Sequence, residues 1–245
     1  LKNFALTVGV SKRENVIDAS LLEFCIRTHL NQVAPRAMAV IDPIKIKIIN
    51  YENEKGETIN FDINPQAKEL GTREINFSKE LYIENEDFQE NPEDGFFRLS
   101  LGEEVRLKNA YIIKAVDLVK DEEGNVKEVL CEYDSKSRSG SNTPESNRKV
   151  KGTIHWVSYT DSVKAKINIY DRLFKVPEPG KDNDLKNEVN QNSLEVKEAF
   201  VEPYLAESLE AQQFQFQRLG YFVRTDNKKT LEFNKTVGLK DGWKK

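Results

Sequence analysis

The residue types best suited to catalysis are scarce in this chain. There are two histidines, His29 and His155, and two cysteines, Cys25 and Cys131. No C-x-x-C or H-x-x-x-H spacing occurs, so nothing outlines a zinc site or a disulfide framework, and reduced thiols are expected. His155 lies in an alternating stretch beside Trp156, with no nucleophile at a recognisable spacing, and reads as a structural histidine. Ser11-Lys12-Arg13 has the residue types of a nucleotide-phosphate loop, but a helix-start serine followed by two solvated bases accounts for it better. Gly95 and Gly102 stand alone, and neither a GxGxxG nor a P-loop pattern is present. Acidic groupings such as Glu103-Glu104 and Glu84 to Asp87 are what 41 Asp and Glu residues produce by composition. No catalytic site emerges.

The cationic residues have more shape. Arg36 follows a proline. Arg98 and Arg106 fall in successive strand-like runs, with Lys108 and Lys114 beyond them. Phe96 and Phe97 precede Arg98, and Phe214-Gln215-Phe216-Gln217-Arg218 mixes rings with amide and guanidinium groups. Unstacked single-stranded RNA bases require such groups. A guanidinium fork matches guanine O6 and N7, amides match base edges, and rings stack on base faces. The same residues are also ordinary surface packing in many strands, so the pattern alone is a weak signal.

Stepping from these residues to the elements that carry them, the chain divides by texture. Residues 1 to about 30 read as helical: Asn15 to Ser20 leads into a run in which Leu21, Leu22, Cys25 and Ile26 share one face, with Asp18 or Ser20 as N-cap. Pro35 and Pro43 forbid a long helix beyond this point. From Met38 onward short alternating runs dominate. They are expected as strands near 40–49, 74–83, 96–101, 104–115, 126–133, 151–157, 162–171, 193–200, 213–224 and 231–239. Turn residues separate them, as in Asn91-Pro92-Glu93-Asp94-Gly95 and Asp121-Glu122-Glu123-Gly124-Asn125. Many short strands with little long helix predict a mainly β protein of two antiparallel, six-stranded β-barrels after a short helical segment. The expected organisation is a helical end over 1–37, a first barrel over 38–133, a mobile loop over 134–150, and a second barrel over 151–245 whose last strands can return to the first. Residues 177–192 read as a long connection with a helical turn.

Composition sets limits on function. With 37 Lys and Arg against 41 Asp and Glu the net charge is −4, which excludes a globally basic nucleic-acid coat. Any RNA site is then a local patch on an acidic body. No apolar run approaches the ~20 residues of a membrane-spanning helix, and Leu1 to Val10 lacks a signal-peptide pattern. The chain opens on Leu1 and reads as a fragment of something longer.

Longer strings sharpen this picture. Ala34-Pro35-Arg36-Ala37-Met38-Ala39-Val40-Ile41-Asp42-Pro43 resembles the helix-to-barrel junction of the glutaminyl-tRNA synthetase family. Glu104 to Tyr111 (EVRLKNAY), Lys151 to Ser158 (KGTIHWVS), Tyr170 to Phe174 (YDRLF) and Phe233 to Asp241 (FNKTVGLKD) resemble later parts of that family, in the same order. The resemblance covers the chain from about Val8 to Trp243. It implies a class I aminoacyl-tRNA synthetase whose two β-barrels, similar to the ribosomal barrel that binds 5S rRNA, hold the tRNA anticodon. It also implies a catalytic domain outside this chain, using ATP and Mg2+ for glutamine activation, with no cofactor in this segment. The expected partners are tRNA(Gln) and that catalytic domain, in a monomeric cytoplasmic enzyme. A glutamyl-tRNA synthetase with the same barrels is the near alternative. A free-standing ribosomal-type barrel protein is the distant one, because it would lack the helical lead-in.

By this resemblance Arg36 reads the middle anticodon base with Gln215 and Arg218, Arg98 reads the third base, and Arg106 lies near the first. Two positions depart from the family pattern. Phe97 stands where a Lys can precede the third-base Arg, and Gln66, beside Pro65, stands where an Asn can contact the anticodon. Both are carried as possible anticodon-binding residues. Gly9 to Arg13 resembles a helical region after the family's ATP-binding loop, which removes the nucleotide-loop reading of Ser11-Lys12-Arg13.

Overall fold

The computed structural model describes residues 2–12, 16–181, 184–227 and 229–240. Two helices lead, Lys2–Val8 and Ala19–Val33. The second begins where the Asp18 carboxylate accepts the Ser20 N–H at 2.8 Å, a side-chain N-cap. It ends before Pro35, which disfavours helical backbone at Ala34. Buried Asn64 takes over there, donating its amide to the Gln32 and Ala34 carbonyls at 3.1 Å each. Ser11 and Lys12 do not start a helix. They lie in exposed chain after the first one, and Arg13 falls outside the described residues.

The remainder is mostly strand. The first sheet runs, in spatial order, Thr153–Ile154, Glu104–Leu107, Ile112–Lys120, Val126–Tyr133, Pro43–Ile48, Glu80–Glu84 and Val157–Ser158. The second runs Arg36–Ala37, Gln213–Phe216, Gly220–Arg224, Glu232–Val237, Val163–Tyr170, Leu194–Val201 and Ala39–Ile41. In each sheet the two outermost strands are halves of one continuous segment, residues 153–158 in the first and 36–41 in the second. Each sheet therefore curls into a barrel-like ring of six segments, barrel I and barrel II. Most pairings are antiparallel. Four are parallel, including Arg36 beside Gln215 and Thr153 beside Arg106.

The closing segments do not respect the expected boundaries at 38 and 151. Arg36 to Ile41 serves barrel II and Thr153 to Ser158 serves barrel I, while the last strand, Glu232–Val237, stays in barrel II. The first exchange has a simple cause. Ala37, Ala39 and Ile41 belong to the barrel II core, whereas Met38 and Val40 belong to the barrel I core. One strand lies between two cores and buries both faces, so it reads as a continuous apolar run rather than an alternating one.

Several expected strands differ: the 40–49 run splits into Ala39–Ile41 and Pro43–Ile48 in different sheets, 104–115 is a hairpin of Glu104–Leu107 and Ile112–Lys120, and 151–157 is two short strands, Thr153–Ile154 and Val157–Ser158. Phe96–Leu101 forms only single bridges at Leu99 and Leu101, because the turns at Gly95 and Gly102, both with positive φ, leave too little chain to align. The 74–83 run is two strands, Thr72–Phe77 and Glu80–Glu84, and the first pairs with Glu57–Asp62 in a separate ribbon that the sequence did not reveal. The 213–224 run is a hairpin, with Arg218 at its turn in left-handed backbone, φ 69°. Residues 134–150 carry a helical turn, Pro144–Asn147. Arg148 bonds Glu104 there and also pairs with Asp134. The 177–192 connection carries a turn of helix at Leu185–Glu188.

Candidate nucleic-acid interface

The predicted site residues fall into three groups. The first surrounds a cleft of about 400 Å³ between the helix Ala19–Val33 and one end of barrel II, lined by Arg27, Asn31, Gln66, Gln215 and Tyr221 among others. Arg36 and Gln215 are register partners in adjacent strands. Backbone bonds fix both: the Arg36 N–H donates to the Ile63 carbonyl at 2.7 Å, and the Gln215 N–H to the Pro35 carbonyl at 2.8 Å. Asn64 Oδ1 accepts the Gln66 N–H at 2.9 Å, so the residue that ends the helix also sets Gln66 at the rim.

Side chains then form a chain of hydrogen bonds. Gln215 Nε2 donates to the Tyr221 hydroxyl at 3.1 Å, the hydroxyl donates to Asn31 Oδ1 at 3.4 Å, and Arg36 Nη2 donates to the same oxygen at 3.3 Å. Burial raises the Tyr221 phenol above its ordinary pKa, although Arg36 and Arg27 pull it down, so it stays a neutral hydroxyl at physiological pH. Two groups are left over: Gln215 Oε1 as an acceptor, and Arg36 Nε, buried without a partner among the described residues. A guanidinium donor and an amide acceptor are the group types that suit the Watson–Crick edge of a base such as uracil, which offers one N–H between two carbonyls. Asn31, Arg27 and Tyr221 were not identified from sequence. Asn31 and Arg27 carry the helical spacing i, i+4 on the face toward the cleft, which is the one signal that marked them.

The second group lies where the barrels meet. Asp87, wholly buried at the end of the short turn Asn85–Asp87, accepts both Arg218 terminal nitrogens at 2.6 and 2.7 Å. Arg98 Nη1 reaches the same carboxylate at 3.0 Å and Glu86 Oε1 at 3.0 Å. Arg218 thus sits with Arg98, rather than joining Arg36 and Gln215 in the bonds around the cleft. Arg218 Nη1 also lies 3.2 Å from His155 Nδ1, and His155 Nε2 lies 3.1 Å from Glu84 Oε1, which accepts the Ile41 N–H at 2.8 Å. A guanidinium can only donate, so Nδ1 accepts and Nε2 carries the proton toward Glu84. His155 is one link in a polar chain between the barrels. Burial pushes the Glu84 carboxyl above the ordinary carboxylate range, against the pull of His155. Phe97, two-thirds exposed beside Arg98, is available for stacking.

Arg106 forms the third group. Its Nη1 donates to the Ser137 carbonyl at 3.1 Å and its Nη2 to the Ser146 carbonyl at 2.7 Å. The side chain ties the 134–150 segment to the strand Glu104–Leu107 and is not gathered with the other two groups. No cluster of His, Cys, Asp and Glu suited to a metal is found among the described residues.

The two six-segment barrels carry these guanidinium, amide and ring groups in three separate places. Residues 34–134 match the anticodon-binding domain family of the class I tRNA synthetases for E and Q, and residues 153–225 match a second anticodon-binding domain family of the same synthetases. The chain belongs to this family of anticodon-binding domains. Over nearly all of its length it is similar to glutamine–tRNA ligases. It is 49% identical over 247 residues to that of Aliivibrio fischeri strain MJ11, covering 99% of this chain and 44% of the relative. It is 45% identical over 248 residues to those of Escherichia coli O157:H7 and Shigella boydii serotype 18, covering all of this chain and 44% of each relative. The chain thus spans less than half the length of these relatives.

Proposed function

We propose that this chain is the anticodon-reading part of a cytoplasmic, monomeric glutamine–tRNA ligase. It grips the anticodon loop of tRNA(Gln) so that glutamine, activated with ATP and Mg2+ in a catalytic domain outside this chain, reaches the correct tRNA. The observation that carries the reading is that Gln215 and Gln66 line one cleft whose wall residue Asn31 accepts a hydrogen bond from Arg36, the register partner of Gln215. Arg36 and Gln215 take the middle base. Arg98, with Arg218 and Phe97 beside it, takes the third, for which a fork opposite guanine is the fitting chemistry. Arg106 contributes near the first base by holding the 134–150 segment in place.

The reading is tested with RNA stem-loops carrying the glutamine anticodon CUG and singly altered loops. With about 3–5 phosphates neutralised, binding should fall with salt on a log–log slope of about −2 to −4. CUG should bind more tightly than either altered loop. Binding that is independent of salt and of loop sequence refutes the assignment.

A further inference from the structure

We infer that Asp87 is the positioning residue that couples the two barrels in base reading, holding Arg98 and Arg218 as one unit. This rests on the proposal above that these arginines meet the RNA loop, and it assigns a role to a residue that itself touches no base. A single carboxylate, wholly buried, bonds a guanidinium from each barrel. Two cations at this distance repel one another, and the shared anion between them reduces the pair's net charge to +1. Both Arg218 terminal nitrogens face Asp87, so the plane of that fork is fixed. Arg98 gives Nη1 to Asp87 and Glu86, which leaves Nη2 and Nε without protein partners among the described residues and turned to one remaining edge. Behind Arg218, the His155–Glu84–Ile41 chain anchors the arrangement to the strand between the two cores.

The consequence is a specific one. Asp87→Asn removes the anion but keeps the shape. Both arginines lose their fixed plane, while the surface gains one positive charge. Discrimination between CUG and a loop altered at the third base should fall by about 5- to 150-fold, the range for one bidentate contact. Attraction to phosphate should hold or rise, with a salt slope unchanged or steeper by about one. A role confined to fold stability predicts otherwise: equal weakening on all loops and an unchanged discrimination ratio.

Three measurements separate the outcomes. Binding of CUG and third-base-altered stem-loops is measured for wild type, Asp87→Asn, Arg98→Ala and the double variant Asp87→Asn/Arg98→Ala, with thermal unfolding recorded for each. If Arg98→Ala leaves discrimination intact, the anticodon reading fails. If Arg98→Ala abolishes discrimination but Asp87→Asn, folded, does not reduce it, the reading stands and the positioning role is overturned. If both reduce it and the double variant is no worse than Arg98→Ala alone, Asp87 acts through Arg98 as inferred. Should Asp87→Asn not fold, Arg218→Lys takes its place. It leaves Asp87 partnered but loses the fork, and it should weaken third-base discrimination at least threefold from the opposite barrel, whereas an unchanged ratio overturns the coupling.

Discussion

Replacing Arg36 with alanine isolates the reading of one base, because the protein itself gains little from this guanidinium. Its Nη2 contact with Asn31 is long, 3.3 Å, and its Nε is buried without a partner among the described residues. A made hydrogen bond contributes about 0.5–1.5 kcal/mol, and an unsatisfied buried donor costs about 1–3 kcal/mol. Truncation loses the first and relieves the second, so the free energy of unfolding should change by less than about 1 kcal/mol. The loss falls on RNA. A base contact by arginine is worth about 1–3 kcal/mol, or roughly 5- to 150-fold in affinity. Fluorescence anisotropy with labelled stem-loops gives the test. Arg36→Ala should weaken the CUG loop by that factor and barely affect CCG, altered at the middle base. It should weaken CUA, altered only at the third base, as much as CUG. Arg36→Lys should rescue only in part, since a point charge replaces a planar fork. Equal losses on all three loops, a salt slope shallower by about one and full rescue by lysine would refute base reading and assign Arg36 to phosphate.

Arg106→Ala removes two charged hydrogen bonds to the Ser137 and Ser146 carbonyls. It should destabilise the fold by about 1–3 kcal/mol and speed tryptic cleavage at Lys136 and Arg138, read by limited proteolysis. Met38→Ala opens a cavity under the strand shared by both cores and should cost about 2–5 kcal/mol in chemical denaturation. Because that strand serves both barrels, the two should still melt in one transition. Burial raises the Glu84 carboxyl, so its contribution to stability is present below the ordinary carboxylate range and is lost as pH rises through the raised value. Glu84→Gln keeps the acceptor for the Ile41 and His155 N–H groups, so its stability relative to wild type should grow as pH rises above the ordinary carboxylate range. A difference that shrinks over that rise contradicts the raised pKa.

Much of the fold was legible because strands that bury one face alternate. Pro43–Ile48 sets half-buried Lys45 and Lys47 between buried Ile44, Ile46 and Ile48, and the sequence shows this alternation directly. What sequence could not show is which core a face meets. Ala37 to Ile41 reads as a junction, yet its two faces belong to different barrels, and that depends on partners some 160 to 180 residues away. The candidate site divides in the same way. Arg36, Gln215 and Arg98 were singled out by the family-like strings and ring-flanked positions around them, since guanidinium and amide groups by themselves are as common here as the acids. Glu84 and Asp87 were set aside as ordinary acids in an acidic chain. Only burial distinguishes them, since a buried carboxylate must be partnered: Asp87 takes a guanidinium from each barrel, and Glu84 takes His155 and the Ile41 N–H. The Glu57–Asp62 ribbon strand escaped notice because its buried residues are only Ile59 and Phe61 amid polar neighbours.

The strand between the two cores also bears on how the protein is made. Arg36 pairs with Gln215, and 215 − 36 = 179 residues separate them. A ribosome adding about 5–20 residues per second needs roughly 10–35 s to supply that partner. Throughout that interval the apolar stretch Ala37 to Ile41 hangs from the nascent chain with its barrel II edges unclaimed. Barrel I has the same difficulty in smaller measure, waiting for Thr153 to close on Arg106. Barrel I can close once Thr153 to Ser158 have emerged, whereas barrel II cannot finish until the strands from Val163 to Val237 have followed, so barrel II completes its folding late. Until then its nascent chain is a substrate for whatever shields apolar segments during synthesis.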